Sequence, residues 1–452
     1  MKRPKKKPAA DSAAPGQSGT KGDARRTALA VLRAVLDDGR ALDEALARNP
    51  HLARLEARDR AFARLLLATV LRRLGQIDAV LDACLDRPIK PKDVMLRHIL
   101  RLGAAQLLFL ETPPHAAVST ALDLAKGPRL AGQRGLLNAV LRRLSREGAE
   151  IVAAQDAARL NTPDWLWQSW TTAYGEDTAR AIAAAQLGEP PLDLSCKSDP
   201  EGWMQKLGAE LLFPDMAGGG SLRLPAGQGD VARLPGYGEG AWWVQDAAAA
   251  LPARLVGDVK GKTVIDLCAA PGGKTAQLAA AGAEVIAVEK NQERLARLQE
   301  NLQRLKLGAA TVCADAAAWQ PPAPADAVLL DAPCSATGTL RRHPDIAWLK
   351  DPAQIAALTA TQDKLLHHAV GMVKPGGILV YAVCSLQPEE GPQRIHALLS
   401  SDDRVERLPL TPEDLPGLDA LITPEGDLRS LPCHLAEKGG LDGFYACRLR
   451  RR

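Results

Sequence analysis

From Trp242 onward, short apolar runs alternate with helical ones, and this alternation leaves few folds open. KTVIDLC (262–268), EVIAVEK (284–290), TVCAD (311–315), DAVLLDAP (326–333) and GILVYAVCS (377–385) are Val/Ile/Leu-rich. Runs of this kind read as strands covered on both faces. Between them, NQERLARLQENLQRLKL (291–307) and DPAQIAALTATQDKLLHHAVGMV (351–373) read as helices. Strands separated by helices pair in parallel through crossovers, so 241–452 is predicted to be an α/β, Rossmann-like, doubly wound domain. The closing DGFYACRL (442–449) is predicted as a last, antiparallel strand.

The first half has a different texture. Residues 24–150 carry helical spacing, as in Leu29, Leu32 and Leu36 or Leu96, Ile99 and Leu100. Punctuation at Asn49-Pro50, Arg87-Pro88, Lys90-Pro91 and Thr112-Pro113-Pro114 divides them into an all-α bundle of six or seven helices. Residues 1–23 form a basic tail, predicted disordered, with five Lys or Arg among the first seven residues. Such a tail suits nucleic-acid phosphates or simple solvation. Residues 151–240 read as two helical stretches and a small mixed α/β subdomain, with Trp165, Trp167 and Trp170 expected in a core.

A net charge of +4 excludes no class of partner. The eight cysteines are scattered, with no C-x-x-C and no histidines at zinc spacing, so neither a metal site nor a disulfide framework is expected. No stretch approaches the ~18 apolar residues of a membrane span. No apolar segment follows the basic start, so no secretory signal is read and the expected location is cytoplasmic.

Chemistry concentrates at the predicted strand ends. In DLCAAPGGKT (266–275) a strand, a turn and a helix start follow one another, and Gly272 and Gly273 allow a ligand to approach the backbone. A Walker A loop is disfavoured, because the position five before Gly273 is Cys268 rather than glycine. Glu289, ending the second strand, can accept hydrogen bonds from both hydroxyls of a ribose. Asp315, ending the third, can meet an adenine amino group. Together they suggest an adenosine-bearing ligand, and the lack of G-x-G-x-x-G favours S-adenosylmethionine over NAD.

Two cysteines open onto the same mouth: Cys334 in DAPCSATGTLRRHPDI (331–346) and Cys384 in VCSLQPEEG (383–391). Either alone reads as a buried thiol, but two at matching strand ends beside a methyl donor suit a pyrimidine substrate. Cytosine C5 is too poor a nucleophile to be methylated directly. A thiolate adding to C6 makes C5 carbanion-like, and a partner at N3, for which Asp331 is placed, stabilises the charge. This chemistry does not rank the two thiols. Arg341, Arg342 and His343 are predicted on the loop after Cys334, either gripping RNA phosphates and orienting the base or merely solvated.

These residues carry a resemblance. DLCAAPGGKT, AVEKNQERLARLQENLQRL, LLDAPCSATGTLRRHPDI, YAVCSLQPEEG and DGFYACRL resemble the Nol/Nop/Sun family of RNA cytosine-C5 methyltransferases. FLETPPHAAVSTALDLAK and GLLNAVLRRL are similar to the NusB-like RNA-binding domain. The resemblance spans residues 24–150 and 160–452. It implies S-adenosyl-L-methionine held by Cys268, Ala269, Ala270, Pro271, Gly272, Gly273, Lys274, Glu289, Asp315 and Asp331. It further implies Cys384 as nucleophile, Cys334 as the cysteine assisting product release, and 5-methylcytidine formed in unassembled small-subunit (16S) rRNA. Val383 stands where the family usually has Thr and Ala336 where it usually has Gly, and LDLSCKSDP (192–200) lacks a common arginine and asparagine. Alternative readings are the same chemistry on tRNA or another rRNA site, a non-catalytic NusB-like RNA-binding factor, and an NAD-dependent dehydrogenase.

Overall fold

The structure, a computed structural model, describes residues 23–127, 130–216 and 219–452. Residues 1–22 of the predicted basic tail lie outside them. Asp23 caps the first helix, its carboxylate accepting from the backbone N–H groups of Arg25 and Arg26. Among the described residues, seven α-helices, from Ala24–Leu36 to Arg134–Ala153, build the N-terminal domain, as the spacing predicts. Their apolar stripes, including Leu32, Leu66, Ile77, Ile99 and Leu141, are fully buried against one another. Each such side chain contributes about 1.5–3 kcal/mol on leaving water. Among the described residues no helix is long and apolar enough to cross a membrane.

Three short helices follow, Ala157–Leu160, Asp164–Tyr174 and Glu176–Ala185, where the spacing suggests two. Gly175, at φ +82°, makes the break that the apolar pattern does not reveal. Trp170 is fully buried, and Trp165 and Trp167 pack at the edge of the same cluster, so the tryptophans are core residues as expected. A small antiparallel sheet comes next, comprising β1 (Leu192–Cys196), β2 (Glu210–Leu212), β3 (Ser221–Leu224) and β4 (Trp242–Val244) in the order β2-β3-β1-β4. The predicted boundary at 240/241 is therefore corrected. Trp242–Val244 pairs with β1, some fifty residues upstream, a partner that a local reading of an apolar run does not see.

The large sheet contains β5 (Thr263–Leu267), β6 (Glu284–Glu289), β7 (Ala310–Cys313), β8 (Ala325–Asp331), β9 (Val373–Val383), β10 (Val405–Arg407), β11 (Leu428–Ser430) and β12 (Phe444–Arg451). Its order is β10-β12-β9-β8-β5-β6-β7, with β11 also on β12. Strands β5 to β9 pair in parallel, and β12 runs antiparallel to β9. The doubly wound α/β fold and the antiparallel last strand agree with the sequence. From β5 the chain winds outward through β6 and β7, then returns to place β8 and β9 on the other side. That reversal opens a crevice at the carboxyl ends of β5 and β8, where ligands of such sheets bind.

The helical domain is fastened to the segment after β8. Asp345 accepts from the Leu42 backbone N–H (2.8 Å), Trp348 donates its indole N–H to the Leu71 carbonyl (2.8 Å), and Arg72 donates to the Arg341 carbonyl (2.9 Å).

Candidate active site

The loop from Cys268 to Gly272 links β5 to the helix Gly273–Ala280. Gly272 adopts φ +102°, and a Cβ there would come within 3.0 Å of the Leu298 side chain. Glycine is thus required by conformation and by close packing. Ala269 and Ala270 are buried against Leu298 and Leu302. Behind the loop, Arg294 donates to the Ala270 carbonyl (2.7 Å) and Asn301 to that of Pro271 (3.0 Å). Cys268 stands at φ +60°, and burial, followed by the charges of Asp331 and Glu289, pushes its thiol up to about 12. It is a neutral loop residue.

Glu289 is buried at the end of β6. Its Oε1 accepts from the Asn291 N–H (3.0 Å), while its Oε2 is buried without a hydrogen bond, 3.5 Å from the Arg294 guanidinium. Asp315 is exposed two residues beyond the end of β7 and accepts from the Ala317 N–H. Lys274 is buried, and its ammonium lies 2.7 Å from Asp331 Oδ2. Burial opposes its charge, but the Asp331 carboxylate and its hydrogen bond, aided by Cys384 and Asp266, raise its pKa above the ordinary lysine value.

Asp266, on β5 behind this pair, was not among the predicted site residues. It is fully buried, accepts from the Thr275 hydroxyl (2.5 Å), and leaves Oδ1 without a partner. Burial pushes its carboxyl up to about 7, with Asp331 adding to the rise and the Thr275 hydrogen bond opposing it. The sequence signal was an acidic residue inside an otherwise apolar strand.

The two predicted cysteines meet. Asp331 pairs with Ala382 across β8 and β9, so the chain leaves both strands at the same level. Cys334 Sγ and Cys384 Sγ are 3.4 Å apart, both half-buried. The Gly338 N–H donates to the Cys384 carbonyl (3.0 Å), and a Cβ on Gly338 would collide with the backbone of Gly443, so glycine allows the loop to close over β12. The Cys334 thiol is raised well above its usual range by its hydrogen bond with Cys384, then by burial and the negative charges of Cys384 and Glu390. Ala336 stands at φ +60°, a left-handed conformation that glycine adopts at lower cost.

The expectation for Arg341 and Arg342 is overturned. Arg341 is fully buried, and its guanidinium is taken up by Asp442 (3.0 Å), Asp246 (3.2 Å) and the Gly439 carbonyl (2.6 Å). Arg342 is held by Asp246 (2.5 Å) and Asp442 (3.1 Å). Neither presents a cation to phosphate. His343 is half-buried, its Nδ1 3.6 Å from Asp43 of the helical domain. Among the described residues no group of side chains could hold a metal ion.

Comparison with known proteins adds to this geometry. Residues 254–450 match the family model described as 16S rRNA methyltransferase RsmB/F, and residues 22–146 match the NusB family. The ribosomal RNA small subunit methyltransferase B of Vibrio cholerae is 37% identical over 392 residues, covering 83% of this chain and 88% of its own. That of Cronobacter sakazakii is 34% identical over 447 residues, covering 95% and 98%. The solved structure of PH0851 shares the fold, with a TM-score of 0.72 at 22% identity over 94% of this chain and 98% of that one. The chain therefore belongs to the ribosomal RNA small subunit methyltransferase B family, and is a methyltransferase joined to a NusB domain.

Proposed function

We propose that this methyltransferase forms 5-methylcytidine in small-subunit (16S) rRNA, in the cytoplasm, through a covalent bond between Cys384 and C6 of the target base. The observation that carries the reading is the 3.4 Å approach of Cys334 and Cys384 at the strand ends that also hold Asp331. A lone buried thiol needs no such partner.

The crevice residues fit S-adenosyl-L-methionine. The orphaned Glu289 Oε2 suits a ribose hydroxyl, the exposed Asp315 suits an adenine amino group, and the Gly272 turn admits a ligand against the backbone. When bound, this group supplies an electrophilic methyl to C5. Cys384 adds to C6 as thiolate, and the displaced electron density is carried toward N3, which takes up a proton passed from the Lys274 ammonium through the Asp331 carboxylate 2.7 Å away. Transfer of the C5 proton to water re-forms the C5–C6 double bond and expels Cys384 as thiolate, and N3 returns its proton through Asp331. A hydrogen bond from the Cys334 thiol steadies the departing sulfur. The base must leave its stack to enter, at a cost of a few kcal/mol that is least in single-stranded RNA.

The test is RNA carrying 5-fluorocytidine, in which the C5 substituent cannot leave. Wild-type protein should form a denaturant-stable complex and Cys384→Ala none, while Cys334→Ala should accumulate such a complex on ordinary RNA. A complex persisting in Cys384→Ala would assign the nucleophile elsewhere. Bisulfite sequencing of rRNA and tRNA from cells with and without the gene identifies the substrate, and a change confined to tRNA would refute the rRNA reading.

A further inference from the structure

Glu390 takes no part in the chemistry above, yet its side chain is wholly buried between the two cysteine loops. Its carboxylate accepts four hydrogen bonds, with Oε1 taking those of the Ser335 backbone N–H (2.8 Å) and the Gln362 amide (3.0 Å), and Oε2 those of the Ser385 hydroxyl (2.5 Å) and the Ser335 hydroxyl. Ser335 follows Cys334, and Ser385 follows Cys384. Gln362 also donates to the carbonyl of Pro333, so Cys334 is held from both sides. The Tyr381 hydroxyl, on β9, donates to the Glu390 carbonyl (2.6 Å) and fixes the backbone that carries the carboxylate.

Among the described residues no Lys, Arg or His forms an ion pair with this carboxylate. Burying an unpaired charge is costly, and only several donors converging on it make it tolerable. An apolar residue would fill the same space without that cost. What it could not do is accept from two loops at once.

We infer that Glu390 is a positioning residue for the methyl transfer, holding Cys334 and Cys384 face to face by accepting hydrogen bonds from the residue that follows each. The inference rests on the reading of these two as the reacting cysteines. Geometry is its basis, and electrostatics acts in the same direction. The negative charge of Glu390 is among the causes that raise the Cys334 thiol, favouring the proton on Cys334.

Glu390→Gln keeps the shape but replaces one acceptor oxygen with a donor, which either opposes the N–H groups at Oε1 or leaves the Ser335 and Ser385 hydroxyl protons without their shared acceptor at Oε2. With the full chain, kcat on a small-subunit rRNA transcript should fall roughly 100-fold. KM for RNA and affinity for S-adenosylmethionine should stay within about twofold, as for an interaction that matters in the transition state alone. The alkaline limb of adduct resolution should move to lower pH, since Cys334 loses a neighbouring negative charge. A kcat within about threefold of wild type, or a loss shared by kcat, cofactor affinity and melting temperature, would overturn the inference and leave Glu390 a structural residue. Should Glu390→Gln not fold, Ser385→Ala removes one donor and should lower kcat about tenfold with KM unmoved, and an unchanged kcat would overturn the inference equally. The 5-fluorocytidine complex separates the two failures. Wild-type protein that forms none overturns both readings, whereas wild-type trapping with an unimpaired Glu390→Gln overturns this one alone.

Discussion

Two groups of buried charges lie in this molecule, and they differ in how completely they are satisfied. At the junction of the small sheet, the catalytic domain and the segment after Cys334, Arg341 and Arg342 share Asp246 and Asp442, while Arg223 forks onto Asp193 (2.6 and 2.7 Å). Each of these side chains has its hydrogen-bond partners. Asp266 Oδ1, inside β5, and Glu289 Oε2, at the end of β6, are buried with none. A satisfied buried cluster fixes how elements meet. An orphaned oxygen at a strand end, as on Glu289, lacks a partner that a ligand can supply. The arginines that look most like an RNA grip in the sequence are structural, and a carboxylate at the end of an apolar strand, Glu289, is the one left with an unpartnered oxygen.

The contrast can be put at risk. Arg341→Met removes one partner from the satisfied cluster and leaves Asp442 and Asp246 short of counter-charge. It should cost about 3–5 kcal/mol in denaturant unfolding, with cofactor affinity unchanged in the protein that folds. A loss under about 1 kcal/mol would mean the cluster is as dispensable as a surface ion pair.

Asp266 gives a prediction of similar size with a defined sign. Its carboxyl is at about 7 in the folded chain against 3.8 for the ordinary group, so folding favours the neutral form. Its contribution to stability is complete below pH about 4 and is lost as pH rises toward 7, on the order of 4 kcal/mol. Asp266→Asn cannot ionise, so the variant should lack this fall in unfolding titrations between pH 4.5 and 7.5 without cofactor. Parallel curves for the two proteins would show Asp266 charged throughout.

Glu289→Gln should act on ligand instead of fold. Isothermal titration with S-adenosylmethionine should show affinity lower by about 10- to 100-fold, the worth of a hydrogen bond to a charged acceptor, with stability little changed. The smallest effect is expected at Ala336→Gly, where relief of the left-handed conformation outweighs the added chain entropy by about 0.5 kcal/mol, read as a small rise in melting temperature.

What was legible in the sequence follows from how local its cause is. Strands β5, β6, β8 and β9 are apolar runs whose identity does not depend on their neighbours, and the turns after them carry their glycines, acids and cysteines in plain view. The family resemblance added the ranking of Cys384 over Cys334, which the chemistry left open. Strands β10 and β11, three residues each, exist because β12 offers them an edge. The helix Ala247–Arg254 contains Pro252 and a run of alanines, which hides its spacing. Arg341 and Arg342 were misplaced because Asp246 and Asp442 lie 95 to 101 residues away in sequence. Glu390 escaped notice because its meaning lies in Ser335 and Ser385, each unremarkable alone.

The attachment of Leu42, Leu71 and Arg72 to residues 341–348 has one more consequence. The helices and the sulfur atoms are joined through this short stretch of backbone and through the helices at 157–185, so the span between them acts as a fixed caliper. Under the proposed function, an RNA resting on the helices offers its cytidine at one reach only. Selection among the many cytidines of a ribosomal transcript would then be made by the contour of the RNA around the target base.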